Sequence, residues 1–271
     1  MIDHKLKKYN DIRKNVPLLS AERAKLFYET LYVCDVVFSK FEIEYSLTCG
    51  TLLGQLRHGG MIPWDDDLDV MVFNPGHEKM FEKEVVREFN KYGFNVYMEC
   101  HYRWNRECND TFVNHIYKET YLGSEKHLTD EVFTIKSVRW QDTSNPSKYN
   151  GGKKFHDSAV LDFFPYSQFE SNKWRPKWTA YQKGDRDVLS TDEIWPLKRV
   201  KFGSFEVSII NQAETYVKRW AGEYFMDQPR WTRSHTIKPT SEDKNYIARN
   251  PEIFTNLELP CLFDPSQLES H

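Results

Sequence analysis

A run of aspartates that leads directly into an apolar segment constrains the fold of this chain more than any other feature. Four of the five positions 65–69 are aspartates (Asp65, Asp66, Asp67 and Asp69), and the sequence continues as VMVF, a composition typical of a buried strand. Carboxylates at the mouth of a buried strand are costly unless a cation compensates them. The pattern predicts an interior strand with a charged site at its start; the alternative is a solvated acidic turn.

Asp67 and Asp69 have the spacing of a metal-binding pair. In a strand, residues two apart lie on the same face, about 6–7 Å apart along the chain. Hard carboxylate oxygens suit Mg²⁺ or Mn²⁺. We therefore predict that both side chains bind metal, whereas Asp66 is expected to point away from its neighbours Asp65 and Asp67 if the strand geometry already holds there.

The composition of the whole chain excludes several classes of protein. The 271 residues carry a net charge of −3 and 15% aromatic residues, which excludes a disordered chain and argues against a nucleic-acid binder. No apolar run reaches the roughly 18 residues of a membrane span. Five cysteines without a C-x-x-C pair favour a reducing compartment, so we expect a cytoplasmic protein. A Golgi-lumenal location would require an N-terminal anchor ahead of this sequence.

Hydrophobic periodicity predicts one α+β (mixed α/β) domain over 1–271, a mixed sheet flanked by helices, with a core at about 20–225 and an irregular extension over 226–271. Ser20 is expected to cap a helix that runs to Phe41 and buries one apolar stripe. Further predicted elements are a strand at 43–47, a helix at 51–58, a helix from Pro75 to Tyr92, a strand at 159–166 that Pro165 ends, a loop at 171–178, a hairpin at 198–210 and a helix at 212–220.

Gly50-Thr51 lies between a predicted strand and a predicted helix. A glycine there lets the backbone approach a phosphate, and a helix N-terminus favours anions. Fifteen residues separate Thr51 from Asp67. The pairing of G-[ST] with a later D-h-D at a strand start is the signature of the nucleotidyltransferase superfamily.

The spacer makes the resemblance more specific. The string GTLLGQLRHGGMIPWDDDLDV resembles the hallmark of the LicD/fukutin family, G-T-L-L-G-x-x-R-H-x-G-x-I-P-W-D-x-D-x-D, at every position from Gly50 to Asp69. VLDFFPY is similar to the later D-[IF]-F-P element and supplies Asp162. KRVKFGSFEVSIINQAETYVKRWAG resembles the C-terminal segment, although Trp220-Ala221-Gly222 replaces its Tyr-Gly. The similarity covers about residues 43–225.

This resemblance implies a nucleotidyltransferase-like fold and a specific chemistry. A phospho-alcohol such as phosphocholine or ribitol phosphate would pass from a CDP-linked donor to a glycan hydroxyl, and CMP would leave. Asp67, Asp69 and Asp162 would bind the metal. Asp162 or Asp65 would alternatively act as the base.

Several basic residues are candidates for binding the donor. Arg57 and His58 follow the short helix and would either contact phosphate or brace the acidic cluster. Lys153 and Lys154 would hold the donor pyrophosphate, or else form a solvated turn. Trp64 would stack on a base or pack in the core.

Other interpretations use the same residues or different ones. A true nucleotidyltransferase, which leaves a nucleoside monophosphate on a small molecule or protein, needs the same aspartates. A non-catalytic glycan-binding relative would be expected to lose an aspartate or the glycine turn. A zinc site formed by Cys100, His101, Cys108 and His115 would have unusually wide spacing, which favours unconnected cysteines.

Overall fold

Helices and strands alternate along the first half of the chain and give way to hairpins and short helices in the second. The computed structural model describes residues 2–65, 67–73, 75–79, 82–92, 95–100, 131–137, 159–176, 187–229 and 240–268. The helices are α1 (Ile2–Arg13), α2 (Ala21–Lys40), α3 (Cys49–His58), α4 (Gly76–Lys79), α5 (Lys83–Lys91), α6 (Thr191–Ile194), α7 (Ala213–Ala221), α8 (Ser241–Arg249) and α9 (Pro251–Phe254). The strands are β1 (Tyr45–Leu47), β2 (Leu68–Phe73), β3 (Asn95–Cys100), β4 (Glu131–Ser137), β5 (Ala159–Glu170), β6 (Lys173–Pro176), β7 (Leu189–Ser190), β8 (Lys198–Phe202) and β9 (Phe205–Ile209).

Strands β2 and β5 form the parallel centre of a mixed sheet. The strand order is β1-β2-β5-β4-β3, with β1 antiparallel to β2 and β4 antiparallel to both β5 and β3. β6 pairs with β5 and β7, while β8 and β9 form a separate hairpin. The predicted α+β class, a nucleotidyltransferase-like mixed sheet flanked by helices, is confirmed.

Helix α2 packs the predicted apolar stripe into the core. Its N-cap Ser20 accepts a hydrogen bond from the Arg23 N–H at 3.0 Å. Phe27, Leu31, Cys34 and Phe38 are fully buried, and the Phe38 ring lies 5.5 Å from that of Phe163 on β5. Of the helices described, none is long and apolar enough to cross a membrane.

Strand β5 continues through Pro165 to Glu170, so the prediction that Pro165 ends it was wrong. β4 pairs with residues 159–163 of β5, and β6 pairs with it from Tyr166 onward. Pro165 lies between these two partners, so its missing N–H interrupts no ladder on that edge. β6 itself lies in a segment predicted to be a loop.

Two other segments also differ from the predictions. The helix predicted from Pro75 to Tyr92 is divided into α4 and α5, with Glu82 in a bend between them. The extension over 226–271 contains α8 and α9. A capping box begins α8, with Thr240 bonded to the Asp243 N–H and the Asp243 carboxylate bonded to the Thr240 N–H. Asp243 stands where the usual pattern has Glu or Gln, so the signal was missed.

Candidate functional site

The two central strands meet in register at their aspartates. Parallel pairing makes Asp69 of β2 and Asp162 of β5 direct Cα partners, although they are 93 positions apart. Neighbouring strands lie about 4.8 Å apart, so two backbone positions predicted to bind metal are adjacent. Asp69 is 8% exposed, and Asp67 is partly exposed just before the strand. The side chain of Asp162 and the whole of Asp66 lie outside the described residues.

The start of α3 holds the backbone of Asp69 on two sides. The Asp69 N–H donates to Thr51 Oγ1 at 2.7 Å, and the Asp69 carbonyl accepts from the Thr48 N–H at 3.1 Å. Both threonines are buried. The predicted Gly-Thr turn and the predicted aspartate therefore form one hydrogen-bonded unit.

Asp65 lies against the first turn of α3. It is 4% exposed, and a Cβ added at Gly50 would lie only 2.3 Å from Asp65 Oδ2. Close approach of a phosphate was the predicted reason for Gly50. The structure supplies another, because a side chain at position 50 would force the Asp65 carboxylate to move.

Arg57 ends α3 with a buried guanidinium. It is 8% exposed; Nε donates to His58 Nε2 and Nη1 donates to the Phe225 carbonyl, both at 2.9 Å. The guanidinium also lies over the Trp64 ring, 5.7 Å from its centroid. Burial lowers the pKa of Arg57 to about 10, and the charge of Asp65 opposes that shift. These contacts hold the guanidinium against His58, Trp64 and the Phe225 carbonyl, while Nη2 is buried without a hydrogen-bond partner among the described residues; both roles of Arg57 stay predictions.

Trp64 and His58 pack beneath the extension. Trp64 is fully buried and meets His58 and Phe254 of α9 edge-on, with ring centroids 5.6 and 5.8 Å apart. Trp64 therefore occupies the core position that was one of its two predicted roles. Burial, followed by the charge of Arg57, lowers the pKa of His58 to about 3. His58 is neutral at physiological pH and serves as an acceptor for Arg57.

A polar cluster beside the aspartates was not predicted. The hydroxyls of Thr48 and Tyr216 lie 3.1 Å apart, and the side chains of Tyr216 and Tyr166 interact electrostatically. Burial raises the pKa of both tyrosines, so both hydroxyls stay protonated. Cys49 has a left-handed backbone with φ of 45°, and burial followed by the charge of Asp69 raises the pKa of its thiol. No sequence spacing connects residues 48 and 216.

Some predicted site residues lie beyond the described part of the chain. These are Lys153, Lys154 and the zinc candidates His101, Cys108 and His115, together with the side chain of Cys100. Among the described side chains, no three His, Cys, Asp or Glu residues converge as a metal site. Of the three predicted ligands Asp67, Asp69 and Asp162, the side chain of Asp162 lies outside the described residues.

The strand pairing and the Gly-Thr turn define a nucleotidyltransferase-like domain, and comparison with known proteins assigns its family. Residues 42–212 match the profile of the LicD/FKTN/FKRP nucleotidyltransferase domain, which is more than half of the chain. The chain belongs to this family, as the motif resemblance predicted.

Similar proteins include two uncharacterized bacterial proteins and one named enzyme. The protein of Rickettsia prowazekii is 28% identical over 130 residues, which are 48% of this chain and 45% of that protein. The protein of Rickettsia typhi is 27% identical over 223 residues, or 73% and 66%. The lipopolysaccharide cholinephosphotransferase LicD of Haemophilus influenzae is 44% identical over 43 residues, 16% of each chain. The matches thus span from 16% to 66% of these curated relatives.

Proposed function

We propose that this protein is a Mg²⁺-dependent phosphotransferase that moves a phospho-alcohol from a CDP-linked donor to a glycan hydroxyl and releases CMP. The observation that carries the proposal is the register of Asp69 with Asp162 inside a domain of the LicD family. Phosphocholine and ribitol phosphate are the proposed cargoes. The name of the Haemophilus influenzae relative, a lipopolysaccharide cholinephosphotransferase, supports phosphocholine and a saccharide acceptor.

Asp67, Asp69 and Asp162 are the residues that would hold Mg²⁺. Carboxylate oxygens are the ligands that this ion prefers. Two hydrogen bonds hold the backbone of Asp69 and so fix the position from which its carboxylate extends. Bound Mg²⁺ supplies neutralisation of the charge that develops on the phosphoryl and leaving oxygens. Mn²⁺ has the same ligand preference and provides a spectroscopic substitute.

The acceptor hydroxyl loses its proton as it attacks phosphorus, so a base must lie within hydrogen-bond reach. Asp65 and Asp162 are the predicted candidates. Asp65 is 4% exposed and lies against Gly50, which supports a role in holding the acidic loop in place. Asp162 would then be the base instead of a metal ligand, and Asp67 and Asp69 would hold Mg²⁺ without it. Lys153 and Lys154 remain the proposed contacts to the donor pyrophosphate.

A thermal-shift screen tests the donor class. CDP-choline, CDP-ribitol, CDP-glycerol and nucleoside triphosphates would each be added with Mg²⁺ to the wild type and to Asp69→Asn. A ligand at 100 times its Kd that binds only the native state should add about 2.7 kcal/mol. We expect a CDP-alcohol to raise the Tm of the wild type but not of Asp69→Asn. A response to triphosphates alone would favour nucleotidyl transfer, and a response to no nucleotide would favour a glycan-binding protein.

A further inference from the structure

Tyr216, which lies outside the motif of residues 50–69, hydrogen-bonds to Thr48, the residue at which α3 begins. Tyr216 in α7 is 2% exposed, and its hydroxyl lies 3.1 Å from Thr48 Oγ1, across 168 positions. Thr48 is the N-cap of α3, where a threonine side chain ordinarily accepts from the N–H groups of its own helix. Here it makes no such capping bond, and its hydroxyl bonds Tyr216 instead.

Thr48 in turn is hydrogen-bonded to the backbone of Asp69. Its backbone N–H donates to the Asp69 carbonyl at 3.1 Å, and its own carbonyl accepts the first helical bond of α3 from the Leu52 N–H at 2.9 Å. A displacement of Thr48 therefore moves both the start of α3 and the backbone of Asp69.

The same tyrosine lies close to the second strand of the site. Its side chain interacts with that of Tyr166, which is 3% exposed and lies on β5, four residues after Asp162. Tyr216 thus lies between the turn that holds Asp69 and the strand that carries Asp162.

Two further bonds join the segment before α7 to β1. The Ser208 N–H donates to the Tyr45 hydroxyl at 3.3 Å, and the Ile210 N–H donates to Ser46 Oγ at 2.9 Å. The segment that leads into α7 is therefore tied to β1 at successive residues.

We propose that Tyr216 is a positioning residue of the phosphotransferase site, which holds the backbone of Asp69 in place beside Asp162 through the hydroxyl of Thr48. The inference rests on the proposed function only where it assigns metal binding to these aspartates. Residues that orient metal ligands typically change metal affinity or activity by 10–100-fold when they are replaced.

Tyr216→Phe tests the proposal, because it removes the hydroxyl and keeps the ring. Tyr45→Phe is a matched control: it removes a buried hydroxyl between the same two segments, but its bonds go to Asp35 at 2.6 Å and to Ser208. We expect Tyr216→Phe to lower Mn²⁺ affinity and kcat by about tenfold or more, while Tyr45→Phe lowers Tm and leaves both within about twofold.

Thr48→Val removes the other hydroxyl of the Thr48–Tyr216 hydrogen bond. It tests the proposal if the Tyr216→Phe protein does not fold. Because the two changes delete one interaction, the double variant should be no worse than either single variant in Mn²⁺ affinity. Hydrogen exchange at the Thr48 amide gives a readout that needs neither metal nor donor, and it should accelerate in Tyr216→Phe relative to Tyr45→Phe.

Two negative outcomes have different meanings. A folded Tyr216→Phe protein with unchanged Mn²⁺ affinity, kcat and Thr48 amide exchange would overturn the positioning role. A wild-type protein that binds no Mn²⁺ and transfers nothing would overturn the proposed function. In that case exchange at Thr48 still decides whether Tyr216 positions the turn.

Discussion

The backbone N–H of Asp69 donates a 2.7 Å hydrogen bond to the side-chain hydroxyl of Thr51. This bond joins the first turn of α3 to β2 at a residue predicted to bind metal. Thr51 is 3% exposed, so a lost partner would not readily be replaced by water. The threonine of the Gly-Thr turn therefore has a structural task that is independent of any bound phosphate.

Thr51→Val should be destabilising, because it leaves the Asp69 N–H buried without this acceptor. We expect a loss of about 1–3 kcal/mol in the free energy of unfolding. Thr51→Ser keeps the hydroxyl and is the matched control, with a smaller loss. Urea denaturation of both variants measures the difference. Equal losses in the two variants would show that the hydrogen bond contributes little.

Gly50→Ala should be costly only while Asp65 is present, because its Cβ would lie 2.3 Å from Asp65 Oδ2. In the background of Asp65→Ala the clash disappears. The same change should then be neutral or stabilising by up to about 1 kcal/mol, the preference of helices for alanine over glycine. A double-mutant cycle measures this coupling, and purely additive effects would contradict the close contact.

Local patterns were sufficient for the elements that carry the site. The 3-4 spacing in α2, the alternation before Gly50 and the apolar run after Asp67 each predicted an element that the structure contains. The family resemblance identified Asp162 as a partner for Asp69, and the strand register makes the two adjacent.

Long-range hydroxyl contacts lay beyond this kind of prediction. The bond between Thr48 and Tyr216 produces no periodic pattern in the sequence, because it joins single residues from two different elements. The continuation of β5 past Pro165 depended on which strands flank it, and a single sequence does not give that information. The packing of Trp64 on Phe254 likewise required the helices of the extension.

Arg57→Ala should lower stability by about 1–3 kcal/mol, because it removes donors to His58 and to the Phe225 carbonyl. Arg57→Lys keeps the charge but loses the planar fork, so we expect a similar fall in Tm. Paired measurements of Tm and kcat/KM on both variants distinguish the two predicted roles. Reduced kcat/KM with an unchanged Tm would instead support contact with donor phosphate.

His58 should make folding sensitive to acid. Its pKa is about 3 in the folded protein against an ordinary 6.5, so below pH 6.5 the unfolded chain binds a proton that the folded chain does not. This contribution to stability is fully present above pH 6.5 and is lost as pH falls toward 3, by at most about 1.4 kcal/mol per pH unit.

His58→Gln removes this titration and keeps an acceptor for Arg57. Urea denaturation between pH 6.5 and 4.5 should show a shallower loss of stability in the variant than in the wild type. Parallel curves for the two proteins would mean that His58 is protonated in the folded state.

The identity of the transferred group tests the central claim most directly. CDP-choline or CDP-ribitol, Mg²⁺ and a saccharide acceptor would be incubated with the wild type, Asp67→Asn and Asp69→Asn, and the products analysed by mass spectrometry. We expect CMP release and a cargo phosphate on the acceptor with the wild type only. Both variants should stay folded, with an unchanged or higher Tm without Mg²⁺, because one crowded negative charge is removed. A nucleoside monophosphate on the acceptor, or near-native turnover in either variant, would contradict the assignment.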